Sequence, residues 1–159
     1  QRMAALLEAV GAEVVGVDPL AADPGRRVHD LDDVLPTVDA VTLHCQLTPS
    51  SRGLLSADRL ARLPDHAVVV NTARGEVLDV GAAVEAVRTG RLRGLVCDVF
   101  PEEPWPHLAD AADLPGVAFT PHASGYVHDL GARVAREVAR TLEAWASGAP
   151  LPAPISPAG

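Results

Sequence analysis

Apolar residues in this chain fall into two kinds of run. Ala67–Val70, Leu95–Phe100 and Val117–Phe119 are short and nearly continuous, as expected of strands buried on both faces. Val38–His44 reads as another strand, and Glu13–Asp18 as a short one ending in an acid before Pro19. Between these runs the apolar spacing changes to three and four. Met3, Leu6, Leu7 and Val10 make one stripe, and Gly11 is placed to end that helix with a left-handed residue. Asp30–Leu35 predicts a short helix that Pro36 follows. Ser56 caps a helix through Leu63, with Asp58 in its first turn. Asp79 starts another on Ala82, Ala83, Val84, Ala86 and Val87, which Gly90 closes. The last helix is expected from about Val127 to Ala146. Its stripe of Val127, Leu130, Val134, Val138, Leu142 and Trp145 is expected to pack into a core, leaving Arg133, Arg136, Glu137, Arg140 and Glu143 in solvent. Strands alternating with helices predict an α/β fold on a parallel sheet joined by crossovers.

In such a sheet the carboxyl ends of the strands share one edge, so residues distant in sequence meet there. Three successive strand ends carry chemistry. Asn71-Thr72-Ala73-Arg74-Gly75 puts an arginine where a buried strand breaks into a turn. The next run ends at Asp98 and is followed by Glu102-Glu103-Pro104; the third ends at Thr120-Pro121-His122. A guanidinium holds a carboxylate in a two-pronged planar pair, which a lysine point charge does not. A histidine, with an ordinary pKa of about 6.5, gives and takes protons at neutral pH, and a neighbouring carboxylate stabilises its charged form and fixes its ring. An arginine, a carboxylate and a histidine together suit reversible proton transfer to the oxygen of a 2-oxo acid. Each has a duller competitor: Arg74 could pair with Glu76, Asp98 could cap its turn, and His122 could be a satisfied core histidine.

The 159 residues are one domain's worth of chain, and 48% hydrophobic content is enough for a core. A net charge of −8 without basic runs argues against nucleic acid or a membrane surface as partner. No apolar stretch approaches the roughly 20 residues of a membrane span, and no signal peptide is visible, so the cytoplasm is the expected location. Cys45 and Cys97 both sit in apolar strand-like runs and are expected to be buried, reduced thiols. His44-Cys45 has no spaced partners, so no metal site is expected.

Three motifs carry a resemblance. Asn71-Thr72-Ala73-Arg74-Gly75-Glu76-Val77-Leu78-Asp79, Asp98-Val99-Phe100-Pro101-Glu102-Glu103-Pro104 and Thr120-Pro121-His122-Ala123-Ser124-Gly125, in that order, resemble the signatures of the D-isomer-specific 2-hydroxyacid dehydrogenases. The resemblance extends over nearly the whole chain and weakens after Gly148. It implies a Rossmann-like, doubly wound parallel sheet, NAD as cofactor, a small 2-oxo or 2-hydroxy acid as substrate, and a homodimer. It also implies roles. Arg74 holds the substrate carboxylate, His122 moves the proton, and Glu103, the acid immediately before proline, orients and charges the imidazole. Asp98 bonds the nicotinamide carboxamide. Cys45, Thr72, Ala73, Arg74, His122, Ser124 and Gly125 border the cofactor. Asp18, ending a strand, accepts from the adenosine ribose and favours NAD over NADP. One departure is Gln46, where the family usually has proline.

The same resemblance implies that the glycine-rich pyrophosphate turn, the first strand and the substrate domain precede Gln1. That first strand is expected between the strands ending at Asp18 and Asn71, so Val14–Val17 should not pair directly with Val68–Val70. Residues 1–126 are then most of the NAD-binding domain, 127–148 a helix returning toward the substrate domain, and 149–159 a flexible tail. Two other readings stay open. The motifs are also similar to the C-terminal-binding-protein corepressors, whose NAD site senses cofactor and promotes assembly, and the fragment could be inert. The identity of the hydroxy acid is not legible.

Overall fold

The computed structural model describes residues 2–18 and 30–152. It separates into two units, Gln1–His122 and Ala123–Gly159. The first unit holds a four-stranded parallel sheet, β1 (Ala40–Leu43), β2 (Ala67–Asn71), β3 (Leu92–Cys97) and β4 (Val117–Phe119), in the order β1-β2-β3-β4. Along the chain lie α1 (Arg2–Ala9), α2 (Leu31–Val34), α3 (Ala57–Leu60), α4 (Val80–Arg88) and α5 (Leu108–Ala111).

The core follows from the apolar runs. Val69 of β2 and Leu95 and Cys97 of β3 are fully buried, and they pack with Leu35, Leu55, Val77 and Ala83 in one cluster. Burying a Val or Leu side chain contributes about 2 kcal/mol, so this row anchors the sheet. Helix α4 shows how local chemistry and burial agree. Asp79 caps it by accepting from the Ala82 N–H at 2.9 Å, and Val80, Ala83, Val84 and Val87 form its buried face. Gly90, at φ 77°, ends it in the left-handed region, where a Cβ would be strained. Ser56 caps α3 as expected, but the helix stops at Leu60 rather than Leu63. Arg91 takes its place at the carbonyl end, donating to Ala61 O at 2.7 Å and Leu63 O at 3.0 Å. Pro36 continues rather than ends the turn after α2, inside the 3-10 segment Leu35–Thr37.

Three expectations are corrected. Glu13–Asp18 is no strand: it carries no regular structure and enters no ladder among the described residues, because strand composition alone does not supply a neighbouring strand. The position assigned to a first strand also fails. β2 pairs with β1 on one side and β3 on the other, so no strand fits beside the one ending at Asn71; the edges left open among the described residues belong to β1 and β4. Val14–Val17 does not pair with Val68–Val70, and that part of the expectation agrees with the sheet.

The third correction concerns the second unit, whose helix α6 runs from Leu130 to Ser147. It starts after a turn, with no side-chain cap from Asp129, and Gly148 closes it at φ 69°. Its apolar stripe is exposed rather than packed: Val134, Val138 and Leu142 are each more than half exposed and Trp145 is 73% exposed. A single helix buries its stripe only against a second element, and among the described residues this unit has one helix. Of the tail, residues past Pro152 lie outside those described, as do residues 19–29. No helix of the described residues is long and apolar enough to cross a membrane.

If the α4 cap is as strong as its geometry, Asp79→Ala lowers the unfolding free energy by about 1 kcal/mol with the urea m-value unchanged. An unaltered midpoint would show that the cap is dispensable.

Candidate active site

The site grows out of the parallel register. Asn71 of β2, Cys97 of β3 and Phe119 of β4 lie side by side, and the chain continues the ladder one step further at each end. The Asp98 N–H donates to Asn71 O at 3.0 Å, and the Thr120 N–H to Cys97 O at 3.0 Å. The His122 N–H donates to Asp98 O at 2.8 Å, which holds His122 at φ 52°, uncommon for a residue with a Cβ.

On β2 the turn is set from both sides. The buried Asn71 amide accepts the Ala73 N–H and donates to Arg74 O, each at 3.0 Å. Gly75 then lies against the next strand's loop so closely that a Cβ would stand 1.9 Å from the Phe100 carbonyl carbon. Only glycine fits there. Arg74 between them is exposed, and its Nη1 donates to Ala73 O at 2.6 Å. The competing Arg74–Glu76 ion pair does not form; Glu76 stands 3.8 Å from Arg52 instead.

Beyond β3 the loop is pinned by Phe100. Its ring stacks on Trp105 at 5.7 Å and meets Phe119 edge-on at 5.2 Å, while its N–H donates to Glu103 Oε1 at 3.0 Å. The other carboxylate oxygen of Glu103 meets His122 Nδ1 at 2.9 Å. The His122 hydrogen bond and then the Phe100 N–H hold the Glu103 carboxyl below the usual carboxylate range, so it is ionised at neutral pH. Glu102 makes no such bond among the described residues. His122 is half exposed rather than a core histidine, and its Nε2, across the ring from the bonded Nδ1, has no protein partner among the described residues. Asp98 is buried and accepts from the Thr120 hydroxyl on the neighbouring strand end, so it does not merely cap its own turn.

The remaining candidates are placed unevenly. Cys45 is half buried and lines an open concavity of about 440 Å³ with His44, Gln46, Leu47, Thr72, Ala73 and Arg74, beyond the ends of β1 and β2. The Gln46 carbonyl accepts from Ser51 at 2.6 Å, which ties this loop down. Cys97 is buried with its thiol pushed up to about 12 by burial, and is inert. Asp18 lies exposed on the irregular stretch, outside the ladder. Ser124 and Gly125 belong to the second unit. Asn71, Thr120, Gly75 and Ser51 were not singled out from the sequence. For Asn71 a signal existed, since asparagine two residues ahead of a turn commonly bonds backbone.

With this geometry in hand, the likenesses to known proteins are specific. The family described as D-isomer specific 2-hydroxyacid dehydrogenase, NAD binding domain, matches residues 1–124. A formate dehydrogenase from Chaetomium thermophilum is 39% identical over 77% of this chain and 35% of its own length. A D-isomer specific 2-hydroxyacid dehydrogenase from Lactobacillus delbrueckii ssp. bulgaricus, solved with NAD, is 25% identical at a TM-score of 0.86, covering 98% of this chain and 52% of that one. Another, from Xanthobacter autotrophicus Py2, solved with NADPH and MES, is 31% identical at a TM-score of 0.71, covering 80% and 52%. The chain thus spans a third to a half of the length of these relatives. It belongs to the D-isomer-specific 2-hydroxyacid dehydrogenases, and what it contributes is their Rossmann-type NAD-binding domain.

Proposed function

We propose that the protein containing this chain transfers a hydride between NAD(H) and C2 of a small D-2-hydroxy or 2-oxo acid. The observation that carries the reading is the Glu103–His122 pair, held at the strand ends with Nε2 unpartnered among the described residues. The chemistry of the neighbouring groups fits the cofactor. The concavity beyond β1 and β2 is lined by the small Thr72 and Ala73 and the half-buried Cys45, and the buried Asp98 carboxylate at the end of β3 is an acceptor suited to a carboxamide. Asp18 would take the adenosine ribose. When bound, the nicotinamide supplies or accepts the hydride.

The protein's part is positioning and proton transfer. Arg74 grips the substrate carboxylate through two parallel hydrogen bonds and turns its 2-oxo oxygen toward the histidine. His122 Nε2–H gives its proton to that oxygen as C2 is reduced, and Nε2 takes it back in the oxidative direction. Glu103, ionised and bonded to Nδ1, fixes the ring and stabilises the imidazolium. The reading carries with it a homodimer and a cytoplasmic location.

His122→Ala is expected to lower kcat/KM by about 10²- to 10⁴-fold. Arg74→Lys, which keeps the charge and loses the fork, raises KM for the acid by on the order of tenfold. Glu103→Gln lowers the rate of 2-oxo acid reduction most at high pH, because the imidazolium then lacks its anion. Equal activity of this variant and wild type at high pH would defeat the assignment. Turnover of 2-oxo acids by the whole protein decides the reading, whereas NADH-dependent dimerisation without turnover would favour the cofactor-sensing alternative. Calorimetric titration of this chain with NADH and NADPH tests Asp18: Asp18→Ala is expected to narrow a preference for NADH, and equal binding of both by wild type would remove that role.

A further inference from the structure

We propose that Asn71 is the positioning residue for Arg74, a role that rests on the reading of Arg74 as the grip on the substrate carboxylate. Asn71 is fully buried, and its place is fixed by the ladder, where it pairs with Leu43 of β1 and Cys97 of β3. Its main-chain carbonyl accepts the Asp98 N–H at 3.0 Å. Its side chain then uses both polar ends on the turn that follows. Oδ1 accepts from Ala73, and Nδ2 donates to the Arg74 carbonyl.

Stability alone does not call for an amide at this position. The other inward residues of β2, Ala67 and Val69, are apolar, and an apolar residue at 71 would avoid the desolvation of an amide altogether. What the amide adds acts only on the residues around Arg74. The needed pair is one acceptor and one donor a short arm apart. Ionised aspartate has no donor, serine is shorter, and glutamine is longer by one methylene. On the far side of Arg74 the backbone is fixed again, because Gly75 abuts the Phe100–Pro101 peptide. The Arg74 Cα is therefore held at both ends, while its exposed guanidinium rests on Ala73 O and can exchange that carbonyl for a ligand.

The test uses the full protein with two variants, Asn71→Asp and Asn71→Leu. It follows the Arg74 Nε–Hε resonance by NMR and the affinity for oxamate, an unreactive 2-oxo acid isostere, in the presence of NADH. Both variants are expected to shift and broaden the Arg74 signal and to weaken oxamate by on the order of 100-fold, the effect of a misplacement near 1 Å. Val84→Ala, a core truncation in α4, is expected to lower stability without moving either. The proposal is overturned if Asn71→Leu leaves the Arg74 signal and oxamate affinity as in wild type, which would also assign any effect of Asn71→Asp to its new charge. It is equally overturned if Val84→Ala moves both as far. Wild-type oxamate affinity in Arg74→Ala would instead sink the reading of Arg74 as the carboxylate grip, and the Arg74 resonance in the Asn71 variants would still decide the positioning role.

Discussion

Everything in the candidate site hangs on backbone hydrogen bonds that carry the parallel ladder past the ends of its strands. Asp98 donates to Asn71, and His122 donates to Asp98. In a parallel sheet such bonds are evenly spaced, so each strand end hands its register to the next. The position of His122 is thereby referred, through two peptide groups, to the strand that leads into Arg74. The left-handed backbone at His122 is the local cost of that connection, and the bond to Asp98 O helps to hold it.

A second connection runs through van der Waals contact. Gly75 touches the Phe100–Pro101 peptide, and the Phe100 N–H holds Glu103. Two independent routes therefore join the arginine turn to the carboxylate–histidine pair, one along the ladder and one across the loops. A site joined in this way moves as a unit, which suits a reaction whose partners must meet within a fraction of an ångström.

Much of this was legible in the sequence because buried parallel strands read as unbroken apolar runs, and the polar residue that ends each run marks the edge where function collects. The caps at Ser56 and Asp79 were legible for the same local reason, a side chain acting on its own next turn. What depended on distant partners was not. Glu13–Asp18 has strand composition, yet composition supplies no ladder partner. The stripe of α6 has the spacing of a core helix, but spacing specifies only that a face is apolar and not what covers it. The neighbours of β2 could not be read at all, since strand order is a property of the sheet. Among the site residues, Glu103 and Glu102 were told apart only by resemblance; in the fold they differ because Glu103 alone reaches both Phe100 and His122.

The distribution of burial among the charged groups follows the work each is suited to. Asp98 is buried and bonded to Thr120, so its carboxylate is fixed before any ligand arrives. Glu103 and His122 are each about half exposed, which leaves the pair open to a substrate while one bond keeps their geometry. Arg74 is exposed at its guanidinium and fixed at its backbone. Placing rigidity in the neutral amide of Asn71 rather than in a buried counter-ion has a further consequence. A carboxylate within reach of Arg74 would compete with the anionic substrate for the same fork, whereas an amide bonded only to the backbone leaves the positive charge uncommitted.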